Sequence, residues 1–253
     1  MIKKTCPEEY PITLYLNGHN LATYQLTNRD LEDWAYGYLF SEAVISSPND
    51  LKKLVVDEGR GRILAETTGD FDFNSFKEKQ LNFTAGCGRG VTFFSMSDVK
   101  RFNKVKTNRT VSLSYLLKKR HEFAMNSPLY LETGGMHGAC IVDREGRIYV
   151  KEDIGRHNAV DKVIGYALRH NMKPEDLILL TTGRISYEML SKAARFGFGI
   201  IGSRTAATKQ AIQLANFLNV EVIGYIRGKM VNVYTNCGRV LHDLNEKAAG
   251  NSN

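Results

Sequence analysis

LILLTTGRISYEMLSKAARFGFGIIGSRTAATKQAIQLANFLNVEVIGY, Leu177 to Tyr225, is the stretch that decides the fold. Its apolar residues follow two rhythms. Leu177–Thr182, Gly199–Gly202 and Val220–Tyr225 are short apolar runs of a length that suits buried strands. Between them, the spacing predicts helices near Ser186–Phe196 and Ala206–Leu218. Strands alternating with helices build parallel βαβ units, because a parallel partner is reached only through a crossover.

Downstream, Val220–Tyr225 and Val231–Thr235 flank Arg227–Gly228–Lys229 and read as a hairpin. Upstream, Val160, Val163, Ile164, Ala167 and Leu168 mark one face of a helix from about Gly155 to Arg169. Before it, His137–Asp143 and Arg147–Asp153 form a hairpin around Asp143–Arg144–Glu145–Gly146, and further helices are expected near Ser97–Lys106 and Ser112–Met125. Nearer the start, Ile12, Leu14 and Leu16 alternate with polar positions, Asn17–Gly18 supplies a turn, and Leu21–Leu26 returns. Asn28 is expected to cap a helix carrying Leu31, Trp34, Ala35, Tyr38 and Leu39, and a second hairpin joins Leu54–Val56 to Arg62–Glu66. Gly69–Thr92 has no period and reads as a long loop, a feature often functional in compact domains. The expected class is α/β: a three-layer body over residues 111–253, with a smaller N-terminal α+β part over 1–110 that carries the loop.

Of 253 residues, 43% are apolar, enough for a packed core in a chain of this length. The net charge of +7, from 34 basic and 27 acidic residues, suits an anionic ligand or an acidic partner. The basic residues are dispersed, and clusters such as Lys118–Lys119–Arg120 are too short for a nucleic-acid track, so nucleic acid is not expected. No apolar run approaches the roughly 18–20 residues of a membrane span, and Met1–Cys6 lacks the apolar core of a signal peptide. Cys6, Cys87, Cys140 and Cys237 are far apart, form no CxxC pair and fit a reducing compartment. The expected location is the cytoplasm, without membrane contact.

Cys87 lies in Thr84–Ala85–Gly86–Cys87–Gly88–Arg89–Gly90. Flanking glycines let a bulky partner approach, and Arg89 favours thiolate over thiol, so this loop suits a sulfur nucleophile. The other reading is a small buried hydrophobe, the commoner fate of a lone cysteine. Thr133–Gly134–Gly135–Met136–His137 could bind an anion through backbone amides. Asp153–Asn158 and Thr181–Ser186 lie at strand-to-helix junctions, where helix N-termini attract negative charge, so Arg156 and Arg184 are expected to face one crevice. His137 and His157 lack metal-ligand spacing and read as hydrogen-bonding residues; no metal held directly by the protein is expected. Asp161 and Lys162 read as ordinary surface charges, and Glu188 as a favourable first-turn carboxylate.

Gly134–Ala139, Glu152–Lys162 and Thr182–Glu188, together with the Pro11–Gly18 strand, the Leu31–Glu42 helix and Ser203–Thr208, resemble the signature blocks of the formate dehydrogenase accessory sulfurtransferases (FdhD type). The similarity runs from about Glu9 to Thr235. It implies a cytidine deaminase-like core and a homodimer. It also implies sulfur transfer: persulfide sulfur passes from a cysteine desulfurase to the molybdenum or tungsten of a bis-molybdopterin guanine dinucleotide cofactor, bound as substrate and destined for formate dehydrogenase. Cys87 matches the family's persulfide carrier, and Tyr225, Ile226, Arg227, Gly228, Lys229 and Met230 match its guanine-nucleotide stretch, with Arg156 and Arg184 expected to face the same anionic cofactor. Gly90 stands where the loop motif has its second cysteine, so any relay here uses one thiol; Ala207 stands where proline is common. A non-catalytic cofactor chaperone is the alternative. A zinc deaminase is a third reading, opposed by Ala139 two residues after His137, where that chemistry needs glutamate.

Overall fold

The computed structural model describes residues 5–74, 76, 103–228 and 230–243. Cys87 and Arg89, expected to carry the sulfur chemistry, lie outside the described residues, as does Lys229. So does most of the helix expected at Ser97–Lys106; its last four positions, 103–106, are not helical.

The chain opens with β1 (Tyr10–Leu16) and β2 (His19–Leu26), joined through Asn17 and Gly18, both at positive φ. α1 (Leu31–Ser41) follows. Its N-cap is Asp30 rather than Asn28, in a left-handed conformation without a side-chain cap. The Asp30 carboxylate is drawn instead to Lys151. β3 (Leu51–Asp57) and β4 (Arg62–Thr67) complete a sheet of order β2-β1-β4-β3. Within it β1 and β4 run parallel, with Leu14 opposite Ile63.

β5 (Val111–Ser112) leads into α2 (Leu113–Met125), whose first turn is capped where Ser112 Oγ accepts from the Tyr115 N–H at 3.1 Å. The short α3 (Pro128–Thr133) comes next, then the hairpin β6 (His137–Val142) and β7 (Ile148–Asp153). α4 (Arg156–Arg169), β8 (Ile178–Thr181), α5 (Tyr187–Phe196), β9 (Ile200–Ser203), α6 (Lys209–Leu218) and β10 (Glu221–Arg227) are the expected crossovers. β11 (Met230–Val233) returns beside β10, and β12 (Val240–Leu241) pairs with β5. The large sheet has the order β11-β10-β9-β8-β6-β7; β8, β9 and β10 are parallel, and β6 is antiparallel to both its neighbours. α6 starts three residues later than its apolar spacing suggests. Thr208 Oγ accepts from the Ala211 N–H, and Ala207 is held extended in a bridge to Ile185.

Leu113, Leu116 and Phe123 of α2 cover one face of the large sheet, against Cys140, Val142, Ile178, Leu180 and Ile223. α4, α5 and α6 cover the other. α1 crosses α4 where both present glycine: a Cβ at Gly37 would lie 1.8 Å from the Asp161 carbonyl oxygen, and one at Gly165 1.7 Å from that of Asp33. Only hydrogen fits at that crossing. Ile12, Leu14, Leu16, Leu26 and Ile63 of the small sheet join the same core as α1 and α4.

Charges lie inside this packing. Lys162 Nζ is 2.6 Å from Asp153, both side chains wholly enclosed, and it also donates to the Thr27 and Glu152 carbonyls. Asn158 donates to Asp153 and to the Gln25 carbonyl. Lys192 pairs with Asp161 at 2.7 Å, while Glu42 lies 3.8 Å from the same ammonium and Ser41 donates to Asp161. Asp161 and Lys162 are therefore interior groups, not surface charges: a 3.6-residue period places them on the buried side of α4, where partners from β7, α5 and the segments around α1 satisfy them.

Candidate functional site

β8, β9 and β10 end at one edge of the large sheet, and the loops that follow carry most of the residues singled out in the sequence. The first two loops are stitched together: Arg204 N–H donates to the Thr181 carbonyl at 3.1 Å, and Ser203 Oγ–H to that of Gly183 at 2.7 Å. A Cβ at Gly183 would lie 2.8 Å from Cβ of Arg156, so the Arg156 stem packs on this backbone from the first turn of α4. Its Nε–H is buried and donates to nothing among the described residues. Arg184, in the same loop, is exposed.

His137 begins β6, its Nδ1 3.4 Å from Thr182 Oγ1; that hydroxyl also accepts from the Gly138 N–H at 3.0 Å. His157 Nε2 lies 3.5 Å from Ser186 Oγ and 3.4 Å from the Glu188 carboxylate. Burial, with the nearby Lys192 and Arg156 cations, pushes His157 down to about 3. Burial and then Arg156 also lower His137. Both rings are thus neutral at ordinary pH, and the His157–Glu188 contact is a close polar approach rather than an ion pair.

At the β10 end, Tyr225 is a non-glycine residue at φ 50°, locked there by its N–H donating to the Thr205 carbonyl at 3.1 Å. The preceding Gly224 is required, since a Cβ there would meet that carbonyl oxygen at 2.8 Å and the Tyr234 ring at 2.4 Å. The Tyr225 side chain is 40% exposed, with the Arg227 guanidinium 5.8 Å from its ring centre. Arg227 Nε–H donates to the Arg204 carbonyl at 3.2 Å. Ile226 faces inward and packs with the α2 cluster, so within this stretch it is a core residue. Gly228 makes the turn at φ 58°, and Met230 begins β11.

The edge thus gathers Arg156, Arg184, Tyr225 and Arg227, together with residues to which no chemical role could be assigned from their pattern alone. Arg204 directly follows β9, as the Arg184 loop follows β8, and that recurrence at successive strand ends was the available signal. Arg204 Nη1–H donates to Tyr130 Oη at 2.9 Å. Tyr130 is positioned by α3, whose Leu129 and Tyr130 N–H groups donate to the Glu152 carboxylate at 2.9 and 2.7 Å. Among the described residues, no carboxylate lies within ion-pair distance of Arg120, Arg156, Arg184, Arg204 or Arg227. No three His, Cys, Asp or Glu residues among them are grouped to hold a metal ion. Of the described cysteines, Cys140 is wholly buried in β6 and pushed up to about 12 by burial, which leaves it unreactive; Cys6 is exposed and Cys237 half-buried. No helix among the described residues is long and apolar enough to cross a membrane.

Fold and site together define a mixed α/β protein with a small N-terminal sheet, a larger helix-covered sheet, and a group of arginines at the carboxyl edge of the latter. The family model described as FdhD/NarQ matches residues 7–241, and the chain belongs to that family. It is 36% identical over 242 residues to the sulfur carrier protein FdhD of Listeria monocytogenes serovar 1/2a, covering 94% of this chain and 92% of the relative. To the sulfur carrier protein FdhD of Bacillus pumilus it is 34% identical, covering 92% and 89%. The crystal structure of a candidate formate dehydrogenase accessory protein from Desulfotalea psychrophila superposes with a TM-score of 0.75 at 26% identity, covering 92% of this chain and 90% of that one.

Proposed function

We propose that this chain is a sulfur carrier that uses Cys87 to bring sulfur to the metal of a bis-molybdopterin guanine dinucleotide cofactor required by formate dehydrogenase. The observation that carries the reading is the cationic carboxyl edge, where arginines with no carboxylate partner among the described residues collect in a chain of the FdhD/NarQ family. Such an edge suits a ligand bearing several phosphates. Tyr225 and Arg227, with Gly228, Lys229 and Met230, would receive the guanine nucleotide, and Arg156 and Arg184 its anionic groups. The Cys87 thiolate attacks the terminal sulfur of a cysteine desulfurase persulfide; the donor's sulfur–sulfur bond breaks, its cysteine leaves as thiolate, and Cys87 keeps the sulfur. A lone thiol is sufficient for this exchange, in keeping with Gly90.

The same reading places the protein in the cytoplasm as a homodimer, contacting the desulfurase and formate dehydrogenase. It treats the cytidine deaminase-like character of the core as scaffold only, since Ala139 is buried within β6. The experiment is complementation of a strain lacking this gene with Cys87→Ala. A carrier loses formate dehydrogenase maturation while thermal unfolding is unchanged. Full maturation by the variant defeats the carrier reading and leaves the non-catalytic chaperone.

A further inference from the structure

The amino end of the large sheet, opposite the edge that bears Arg184 and Arg227, holds a cavity of about 710 Å³ that opens to solvent. One wall comes from the turns that enter β8 and β9, at Pro174, Glu175 and Gly197. The other is the stretch 103–106. Val105 is buried there; its N–H donates to the Leu218 carbonyl at 2.8 Å, and its carbonyl accepts from Asn219 Nδ2–H at 3.2 Å. Lys104 and Lys106, on either side of it, are exposed and line the cavity. This alternation is that of an extended chain, in which the main-chain groups of one residue point one way and those of its neighbours the other. The N–H and C=O groups of Lys104 and Lys106 make no hydrogen bond among the described residues. One side of the stretch is therefore paired with the end of α6, and the other is an open backbone edge.

Arg195, in the last turn of α5, reaches the same cavity. Its Nε–H donates to the Phe40 carbonyl at 2.7 Å and its guanidinium lies 5.3 Å from the Phe40 ring centre, which fixes the orientation of the group. Its outer fork donates to nothing among the described residues. Lys104, Lys106 and Arg195 face one lining acid, Glu175, and among the described residues none of the three has a carboxylate within ion-pair distance. α5 also ends here. Gly197 stands at φ 108°, and the Gly197 and Phe198 N–H groups both donate to the Ala193 carbonyl, so the carbonyls of the final residues look outside the helix for donors. A simple anion would suit the cations but would be repelled by this negative helix end. A peptide brings carboxylates for the first and amide N–H groups for the second.

We propose that this cavity is a docking trough for an extended acidic peptide segment of a partner protein. The segment pairs its main chain with the open amides and carbonyls of Lys104 and Lys106, as an added strand does. Alternate side chains of an extended chain lie about 7 Å apart on one face, so carboxylates two residues apart meet the two ammonium groups. The Arg195 fork takes a further carboxylate in paired geometry. The trough lies at the other end of the sheet from the arginine-bearing edge, and it stands or falls separately from the sulfur-carrier reading.

The test is fluorescence anisotropy of a fluorescein-labelled octapeptide alternating glutamate with threonine, titrated with the full chain. Two control peptides carry glutamine for glutamate, or N-methyl groups on alternate amides to block strand pairing. The variants are the double substitution Lys104→Gln and Lys106→Gln, then Arg195→Gln, then Arg184→Gln at the opposite edge, with thermal melting as the control for folding. Losing a charge-assisted contact is expected to weaken the acidic peptide about ten- to a hundredfold in the double lysine variant and in Arg195→Gln. Arg184→Gln is expected to bind as the intact protein does. Both control peptides are expected to bind the intact protein about tenfold more weakly or worse. If Arg195→Gln melts early, the double lysine variant, altered only at exposed side chains, decides alone. Undiminished binding by that variant, or a loss at Arg184→Gln in its place, overturns the trough. So does an N-methylated peptide that binds as well as its parent, which would mark plain charge attraction, or an acidic peptide that fails to bind the intact protein. Inorganic phosphate that displaces the peptide at equal concentration would make the cavity a simple anion site and overturns the peptide assignment.

Discussion

Two regions meet along α4, and both are built from charged residues of one sequence block, Gly155–Lys162. On its inner side, Lys162 and Asp161 are enclosed and each meets an opposite charge, Asp153 and Lys192 respectively. On the strand-end side, Arg156 keeps a buried, undonated Nε–H, and Arg204 likewise has no carboxylate within ion-pair distance among the described residues. Interior charges that are all paired fix geometry, since removing one partner strands the other in a poorly polarisable medium. Cations left unpaired at a protein edge instead hold their donors ready for a ligand. A run of charged residues in the sequence can therefore hold two functions, and partner count separates them.

The contrast is tested first by Lys162→Met. It leaves Asp153 buried without its ammonium and is expected to cost about 3–5 kcal/mol of stability, measured by denaturant unfolding. An unchanged midpoint would remove the interior half of the contrast.

Glu42 gives the next effect. Burial raises its carboxyl to about 7, although Lys192 opposes the shift. Lys192 itself is disfavoured by burial, yet Asp161, Glu42 and Glu188 together hold its pKa above the ordinary lysine value, so it stays cationic. Because the folded-state pKa of Glu42 lies above the unfolded one, stability from this site is complete below about pH 4.5 and is lost as pH rises through 7. Glu42→Gln is expected to gain about 2–3 kcal/mol at pH 8, and that gain should disappear toward pH 4.5 in paired melting curves. A pH-independent difference would show that Glu42 does not titrate in the fold.

The smallest effect is Arg156→Gln. Stability is expected to change by less than about 0.5 kcal/mol, while GDP affinity falls about tenfold. The reverse, a destabilised variant with intact binding, would place Arg156 with the interior charges.

Much of the scaffold could be read from the chain because its signals are local. The β8–β10 crossovers, the β6–β7 hairpin and the helix caps at Ser112 and Ser186 follow from period and turn chemistry within a few residues. The parallel pairing of β1 with β4, the α1–α4 glycine crossing and the β5–β12 pair join segments far apart in the sequence, and no local pattern encodes them. The burial of Asp161 and Lys162 was hidden for the same reason, since their partners come from β7, α5 and the end of α1. At the site, Arg156, Arg184 and Arg227 stood out beside glycines. Tyr130 looks like an ordinary helix residue, and only the packing of α3 beside the strand ends brings it to Arg204.

The central claim is that sulfur travels on Cys87. Incubating the full chain with a cysteine desulfurase and sulfur-labelled cysteine, without reductant, and then analysing the Cys87 peptide by mass spectrometry tests it directly. The expected result is a Cys87 peptide heavier by one labelled sulfur atom, which reductant removes. An unmodified Cys87 peptide, recovered while the desulfurase itself carries label, would contradict it.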